Sequence, residues 1–113
     1  MANPIIDRAR AHYAAHGTQS MEVPEWGDDA PLMVYWTPIT LSERQKIANR
    51  AKDGQSQDAM AYAVILKARD AKGDPLFTLE DKHALIHGVD ATVVDRIAAA
   101  MLAAPTVEEA EKN

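Results

Sequence analysis

Four histidines are the side chains whose types and spacing come closest to a chemical motif. They form two pairs at i,i+4 spacing, His12 with His16 and His83 with His87. This spacing places both imidazoles of a pair on one face of a helix, as a zinc site requires. The metalloprotease motif also needs a glutamate directly after the first histidine, and neither pair has one. His16 and His87 each precede a glycine, where an imidazole interacts favourably with the end of a helix. We therefore interpret the histidines as surface or capping residues and predict no metal site.

The other polar residues show no catalytic pattern. The chain contains no cysteine, which excludes disulfides and thiolate zinc sites. Its serines lack the context of a nucleophile elbow, and there is no glycine loop of the kind that cradles phosphate. The acidic pairs Asp28–Asp29 and Glu108–Glu109 lack the spacing of a calcium loop. The sequence therefore predicts a protein that is not an enzyme and uses no cofactor.

Composition points to one small helical domain. The chain has 113 residues, of which 47% are hydrophobic and 5% aromatic. Abundant alanine with few aromatics favours closely packed helices. The net charge of -5 argues against nucleic acid as the main partner, because binding phosphates needs a concentrated basic face. No apolar run approaches the length that spans a bilayer, and the N-terminus has no signal pattern. We expect no membrane association.

Capping and stop signals divide the chain into five helices. Thr40 and Glu43 have the spacing of a capping box, and Asn3-Pro4, Thr78 and Asp90 are further cap signals. The predicted helices cover about 4–16, from the Thr40 cap to about 52, about 56–72, from the Thr78 cap to His87, and from the Asp90 cap towards Pro105. The third helix has the widest apolar face, which predicts burial on more than one side. The fold class is therefore mainly α (α+β), with about five helices packed on a central helix at about 56–72.

A small β-hairpin is predicted at about 20–37, with its strands at Ser20–Val23 and Leu32–Thr37. A lone hairpin is marginal in water, so it must lie on the helices or pair with another subunit. An open strand edge is one route to a homo-oligomer. We assign residues 1–104 to a single domain and 105–113 to an acidic flexible tail.

Aromatic residues and methionines are concentrated in and near this hairpin. Such side chains are enriched at protein interfaces, although they also attach hairpins to helices. The candidate partner-binding residues are Trp26, Met33, Tyr35, Trp36 and Phe77. Phe77 directly precedes the Thr78 cap, where an apolar residue commonly packs on the helix that follows, here near Lys82 and Leu85.

The last two helices have the outline of a helix-turn-helix. From Thr78 to Ala104 four acidic residues (Glu80, Asp81, Asp90, Asp95) stand against two basic ones (Lys82, Arg96), a net charge of -2. A second helix that begins at Asp90 and is rich in alanine and valine offers little to phosphates or base edges. The sequence therefore does not favour DNA binding.

Two parts of the chain resemble the tail assembly chaperones of long-tailed (siphovirus or prophage) bacteriophages. The front part comprises Val23–Gly27, a strand ending in Tyr35-Trp36, and Pro38–Arg44; the back part comprises Lys72–Asp81 and Val94–Ala98. The resemblance covers about residues 20–104 and depends on the order and spacing of these segments. The helix before residue 20 is the least typical part.

This resemblance implies a function without chemistry in the host cell cytoplasm. Proteins of that family coat the aggregation-prone tape measure protein while the tail tube polymerises around it, and they are absent from the finished virion. Many are made in two lengths by programmed frameshifting, and the longer form recruits tail tube protein. Glu111-Lys112-Asn113 is compatible with a slippery codon run, which would make this chain the short form. An acidic helical module offering a groove suits such a client. The alternative is a small structural tail completion or connector protein of the phage particle.

Overall fold

Five helices and one two-stranded antiparallel sheet make up the part of the chain that the structure describes. A computed structural model describes residues 3–51 and 56–103. The elements are α1 (Pro4–His16), β1 (Gln19–Val23), β2 (Leu32–Trp36), α2 (Leu41–Asn49), α3 (Ser56–Lys67), α4 (Lys82–His87) and α5 (Ala91–Leu102), with short 3-10 turns at Pro24–Trp26 and Leu79–Asp81. The mainly α class with a small hairpin is thus confirmed. The predicted tail at 105–113 lies outside the described residues.

Local capping explains where most helices begin. The Asn3 side chain accepts a hydrogen bond from the Ile5 N–H, and the Asp90 side chain accepts one from the Thr92 N–H. At α2 the predicted capping box forms: the Glu43 N–H donates to the Thr40 hydroxyl, and the Thr40 N–H donates to Glu43 Oε1. These bonds satisfy backbone donors that a helix leaves unpaired at its start. The cap signals at Asn3, Thr40 and Asp90 are therefore confirmed. Thr78 instead precedes the 3-10 turn Leu79–Asp81, where its N–H donates to Asp81 Oδ2, and α4 begins at Lys82.

The hairpin lays one face on the helices. Its register pairs Met21 with Val34 and Val23 with Leu32. Val23 and Val34 are fully buried, whereas the alternating residues Ser20 and Glu22 are exposed. Successive side chains of a strand point to opposite faces of the sheet, so the hairpin has one core face and one outer face.

The tight connection between the strands requires a glycine. A Cβ at Gly27 would collide with the backbone carbonyl oxygen of Ala30. The Gly27 N–H also donates to the Pro24 carbonyl at 3.2 Å, closing the 3-10 turn that follows β1. Trp26 lies in this turn, so the turn determines where its ring points.

Helix α3 is the centre of the core, as predicted. It packs against α2, α4 and α5, and its buried residues include Ala61, Ala63 and Val64. Helix α5 supplies the facing apolar side with Val93, Val94, Ile97, Ala98 and Met101. The small side chains of α3 allow close helix packing, while the branched side chains of α5 fill the remaining volume.

Helix α3 ends at Lys67, five residues before its predicted end at about 72. The Arg69 N–H donates to the Tyr35 carbonyl at 2.8 Å, and the Tyr35 N–H donates to the Arg69 carbonyl at 2.9 Å. Residue 69 therefore pairs with the free edge of β2 and cannot continue the helix. Arg69 also bridges to Pro75 across a turn in which Gly73 has a φ of 89°. The glycine belongs to this turn and does not terminate the helix.

Several apolar side chains of α1 and α2 remain exposed. Helix α1 buries none of its residues, and Ile5 and Ile6 are 58% and 46% exposed. Leu41 of α2 is 81% exposed, whereas Ile47 of the same helix is buried. Leu41 is the first residue of α2, where the chain has just left the cap and does not yet face α3. Helix α1 is joined to the rest through the Tyr13 hydroxyl, which donates to the Pro38 carbonyl at 2.6 Å.

Candidate functional site

The five candidate partner-binding residues lie in three different environments. Trp26 and Phe77 form one of them: their ring centroids are 6.2 Å apart and the rings meet edge to face at 78°. Both side chains are half-buried against the core. The sequence predicted that Phe77 would pack near Lys82 and Leu85; the ring contact that the structure shows for it is with Trp26. These two aromatics join the hairpin turn to the segment before α4.

The remaining three candidates lie on the two faces of β2. Met33 and Tyr35 alternate with the core residues and stay half-buried on the outer face. Trp36 is on the opposite face, 6% exposed, and belongs to the core. In this conformation Trp36 has little surface for a partner, whereas Met33 and Tyr35 have more.

A salt bridge fastens the hairpin turn to α5. Arg96 donates from both terminal nitrogens to the two oxygens of Glu25, at 2.9 and 2.6 Å. The hydrogen bond from Arg96 is the main reason that the pKa of Glu25 is lowered to about 2. A bidentate arginine–carboxylate pair adds directional specificity, so it sets how the turn carrying Trp26 sits on α5.

An apolar groove lies between α3, α4 and α5. It has a volume of about 230 Å³ and is lined by Gln57, Met60, Ala61, Leu85, Ile86, Ala91, Val94 and Asp95. Met60 and Ile86 are half-buried and Ala91 is exposed, so apolar surface is accessible within it. An ion pair between Lys82 and Asp58, 3.4 Å apart, ties α4 to α3. None of the lining residues was among the candidates from sequence, because a groove between helices depends on their tertiary packing.

A second cavity contains a buried charge. It measures about 520 Å³ and is lined by Thr18, Tyr35, Trp36, Thr37, Glu43, Leu66, Lys67, Arg69, Asp70, Ala71, Lys72 and Gly73. Lys67 is 4% exposed, and its ammonium donates to Glu43 Oε1 at 2.9 Å and to the Thr37 hydroxyl at 3.1 Å. Burial raises the pKa of Glu43, but hydrogen bonds from Lys67 and from the Thr40 backbone outweigh this and leave the pKa below its ordinary value.

Lys67 stands among the apolar residues of the third helix in the sequence, and it was not among the candidate site residues. A lysine among apolar positions is itself a signal, because a lysine is almost never fully buried unless it is paired. The identity of its partner could not be read from the sequence, since Glu43 is 24 positions away.

The histidine pairs come together as their spacing predicted. The ring centroids are 4.6 Å apart in both His12–His16 and His83–His87. Within the part of the chain that the structure describes, no group of three or more potential ligands is arranged to hold a metal ion. Two imidazoles alone provide only half of a tetrahedral zinc site.

Comparisons with known proteins leave the family unassigned: no protein-family model, curated protein or solved structure matches this chain. Among the helices of the described residues, none combines the length and the apolar character needed to cross a membrane.

Proposed function

We propose that this protein is a phage tail assembly chaperone, which binds the tape measure protein and keeps it soluble while the tail tube assembles. The resemblance of residues 20–104 to that family suggests the function, and the apolar groove between α3, α4 and α5 is the structural observation that supports it. A chaperone of this kind needs a surface that binds the apolar face of a client helix and catalyses no reaction.

The groove has the character expected of a helix-binding surface. Met60, Ile86 and Ala91 contribute accessible apolar surface to it, and the carboxylate of Asp95 contributes a charge. Amphipathic helices bind in such grooves through apolar side chains one helical turn apart. Methionine adapts its shape to different partners, which suits a long client that presents many similar segments. Weak contacts repeated along that client provide avidity.

The hairpin offers a second contact surface. Met33 and Tyr35 lie half-buried on its outer face, and Trp26 is half-buried at its turn. We propose that these residues assist client binding, as their residue types suggested. We further propose that a longer, frameshifted form of this protein recruits tail tube protein. We also propose that the open edge of β1 can pair with a second copy of the chain to form a homo-oligomer.

Co-expression with the tape measure protein encoded by the same phage or prophage tests the proposal. We expect the soluble fraction of the tape measure protein to rise when this protein is present and to fall again when a charge is placed in the groove. Ala91→Glu is the groove variant. Ala99→Glu is its matched control, because Ala99 is also an exposed alanine of α5 but does not line the groove. Neither change removes a core side chain.

The outcomes separate the function from the site. A tape measure protein that stays insoluble beside the unaltered chain overturns the chaperone function. Equal loss or equal retention of solubility in the two variants overturns the groove as the binding site. If the Trp26→Ala variant still solubilises the tape measure protein, Trp26 is not part of the surface that contacts it. Detection of this protein in purified virions by mass spectrometry would favour the structural tail completion or connector protein.

A further inference from the structure

The cavity around Lys67 has the dimensions of a small-molecule site. Its volume of about 520 Å³ lies within the range of ligand pockets in proteins, about 300–1,000 Å³. Tyr35, Trp36 and Leu66 supply apolar and aromatic lining, and β2, the end of α3 and the turn around Gly73 surround it. This cavity is distinct from the groove assigned to the client, with which it shares no lining residue.

Lys67 has hydrogen-bonding capacity left over. A lysine ammonium carries three donors, and within the described residues it uses two, one to Glu43 and one to Thr37. Burial of an ammonium is costly unless its hydrogen bonds are made. An acceptor that enters the cavity would complete the set, because Lys67 is itself part of the lining.

The charges of the lining favour an anion. Three cationic side chains, Lys67, Arg69 and Lys72, stand against two carboxylates, Glu43 and Asp70. Glu43 is engaged with Lys67, and Asp70 Oδ1 accepts the backbone N–H groups of Lys72 and Asp74 at 2.8 and 3.0 Å. Arg69 and Lys72 form no ion pair with any other described residue. The cavity is therefore locally positive, although the whole chain has a net charge of -5.

We propose that this cavity binds a small organic carboxylate with an aromatic or apolar body. The ligand carboxylate accepts a hydrogen bond from the third N–H of Lys67. It also pairs with the guanidinium of Arg69, whose planar fork matches two carboxylate oxygens. The body of the ligand lies against Tyr35 and Leu66. Lys72, in the exposed turn, adds long-range attraction for the anion. The cavity shares no lining residue with the client groove, and of these residues only Tyr35 also belongs to the hairpin surface that we propose to assist client binding.

Titration of the full-length protein with sodium benzoate, followed by amide chemical shifts in ¹H–¹⁵N NMR spectra at constant ionic strength, tests the proposal. Benzoate carries the carboxylate on an aromatic ring, and benzamide is the matched neutral probe. We expect saturable shifts at the amides of Tyr35, Arg69 and Gly73 with benzoate and none with benzamide. Arg69→Gln removes the guanidinium and should raise the Kd for benzoate at least about fivefold, the effect of losing a charge-assisted hydrogen bond.

Two further variants keep this test decisive. Lys72→Gln changes an exposed turn side chain and should raise the Kd about twofold, and it serves if Arg69→Gln disturbs the fold. Lys46→Gln removes an exposed lysine of α2 that does not line the cavity and should leave the Kd unchanged. Shifts that do not saturate, equal shifts with benzamide, or a Kd that responds to Lys46→Gln as much as to the cavity variants would each overturn the proposal.

Discussion

A single carboxylate oxygen of Glu43 serves two parts of the fold. Oε1 accepts the Thr40 N–H at 3.0 Å, which caps α2, and the Lys67 ammonium at 2.9 Å, which ties α2 to the end of α3. The first bond is local in sequence, and the second joins distant positions. A glutamine at this position could also complete the capping box, but it could not supply the negative charge that pairs with Lys67. The charge of Glu43 is therefore needed for the second bond and not for the first.

Glu43→Gln should destabilise the protein by about 1–3 kcal/mol, because it leaves the Lys67 ammonium buried without its counter-charge. The partial exposure of the Glu43 side chain, 26%, keeps the loss below that of a fully buried pair. Urea denaturation measures it. Lys46→Gln, at an exposed position of the same helix, should stay within about 0.5 kcal/mol of the unaltered chain. Adding Lys67→Met to Glu43→Gln should restore part of the stability; equal urea midpoints for all variants would contradict the role of this pair.

The Glu25–Arg96 pair predicts an acid-dependent contribution to stability. Arg96 lowers the pKa of Glu25 from 4.5 to about 2 in the folded protein, so the unfolded chain takes up this proton more readily. The stabilisation is fully present above about pH 4.5 and is lost as the pH falls towards 2. The difference in Tm between the unaltered chain and Glu25→Gln should therefore be largest near neutral pH and shrink over that window.

The control for this experiment is Glu22→Gln, which changes an exposed glutamate on the outer face of β1. Its Tm difference should vary less with pH over the same window. Both partners of the Glu25–Arg96 pair are over 40% exposed, so added salt should reduce the effect. A Tm difference for Glu25→Gln that is constant from pH 7 to pH 2 would contradict the assignment.

At the scale of elements, the end of α3 is decided by the hairpin. Alanine, lysine and arginine around residues 68–72 are good helix formers, and the sequence accordingly predicts helix through this segment. The structure instead pairs Arg69 with Tyr35 by two backbone hydrogen bonds. This pairing satisfies the backbone N–H and carbonyl of Tyr35 at the open edge of β2, where an edge strand would otherwise present unpaired groups.

Arg69→Pro should destabilise the protein by about 1–3 kcal/mol, because proline removes the N–H that donates to the Tyr35 carbonyl. Arg69→Ala keeps both backbone bonds and should cost less than about 1 kcal/mol. Thermal or urea unfolding of the two variants measures the difference. Equal stability of Arg69→Pro and Arg69→Ala would show that the backbone pairing contributes little.

At the scale of the whole molecule, the net negative charge disfavours DNA binding and is compatible with the proposed chaperone function. The helix pair α4–α5 resembles a helix-turn-helix in outline, but α4 has only six residues and α5 begins after the acidic cap Asp90. A net charge of -5 repels a polyanion at long range.

We expect no salt-sensitive shift of duplex DNA in a mobility-shift assay. A basic helix-turn-helix protein, run in the same gel at the same concentrations, is the positive control. A mobility shift that weakens steeply as the salt concentration rises would support a function as a DNA-binding regulator and would count against the chaperone proposal.

Features that depend on neighbouring residues were predictable from the sequence. The caps at Asn3, Thr40 and Asp90 act over two or three residues, so the starts of α1, α2 and α5 follow from residue types alone. The strand pattern in Leu32–Trp36 is likewise local. The mainly α class, the five helices and the hairpin were therefore available before any packing was known.

Features that depend on distant residues required the tertiary structure. The early end of α3 needs Tyr35 beside Arg69, and the cavity needs Glu43 beside Lys67. The exposure of Leu41 and the groove between α3, α4 and α5 depend on how complete helices lie against one another. Residue types decide local hydrogen bonds, because their partners are a few positions away. The surfaces that pack together are decided by the packing free energy of all the elements combined. This free energy cannot be predicted from any single segment of the sequence.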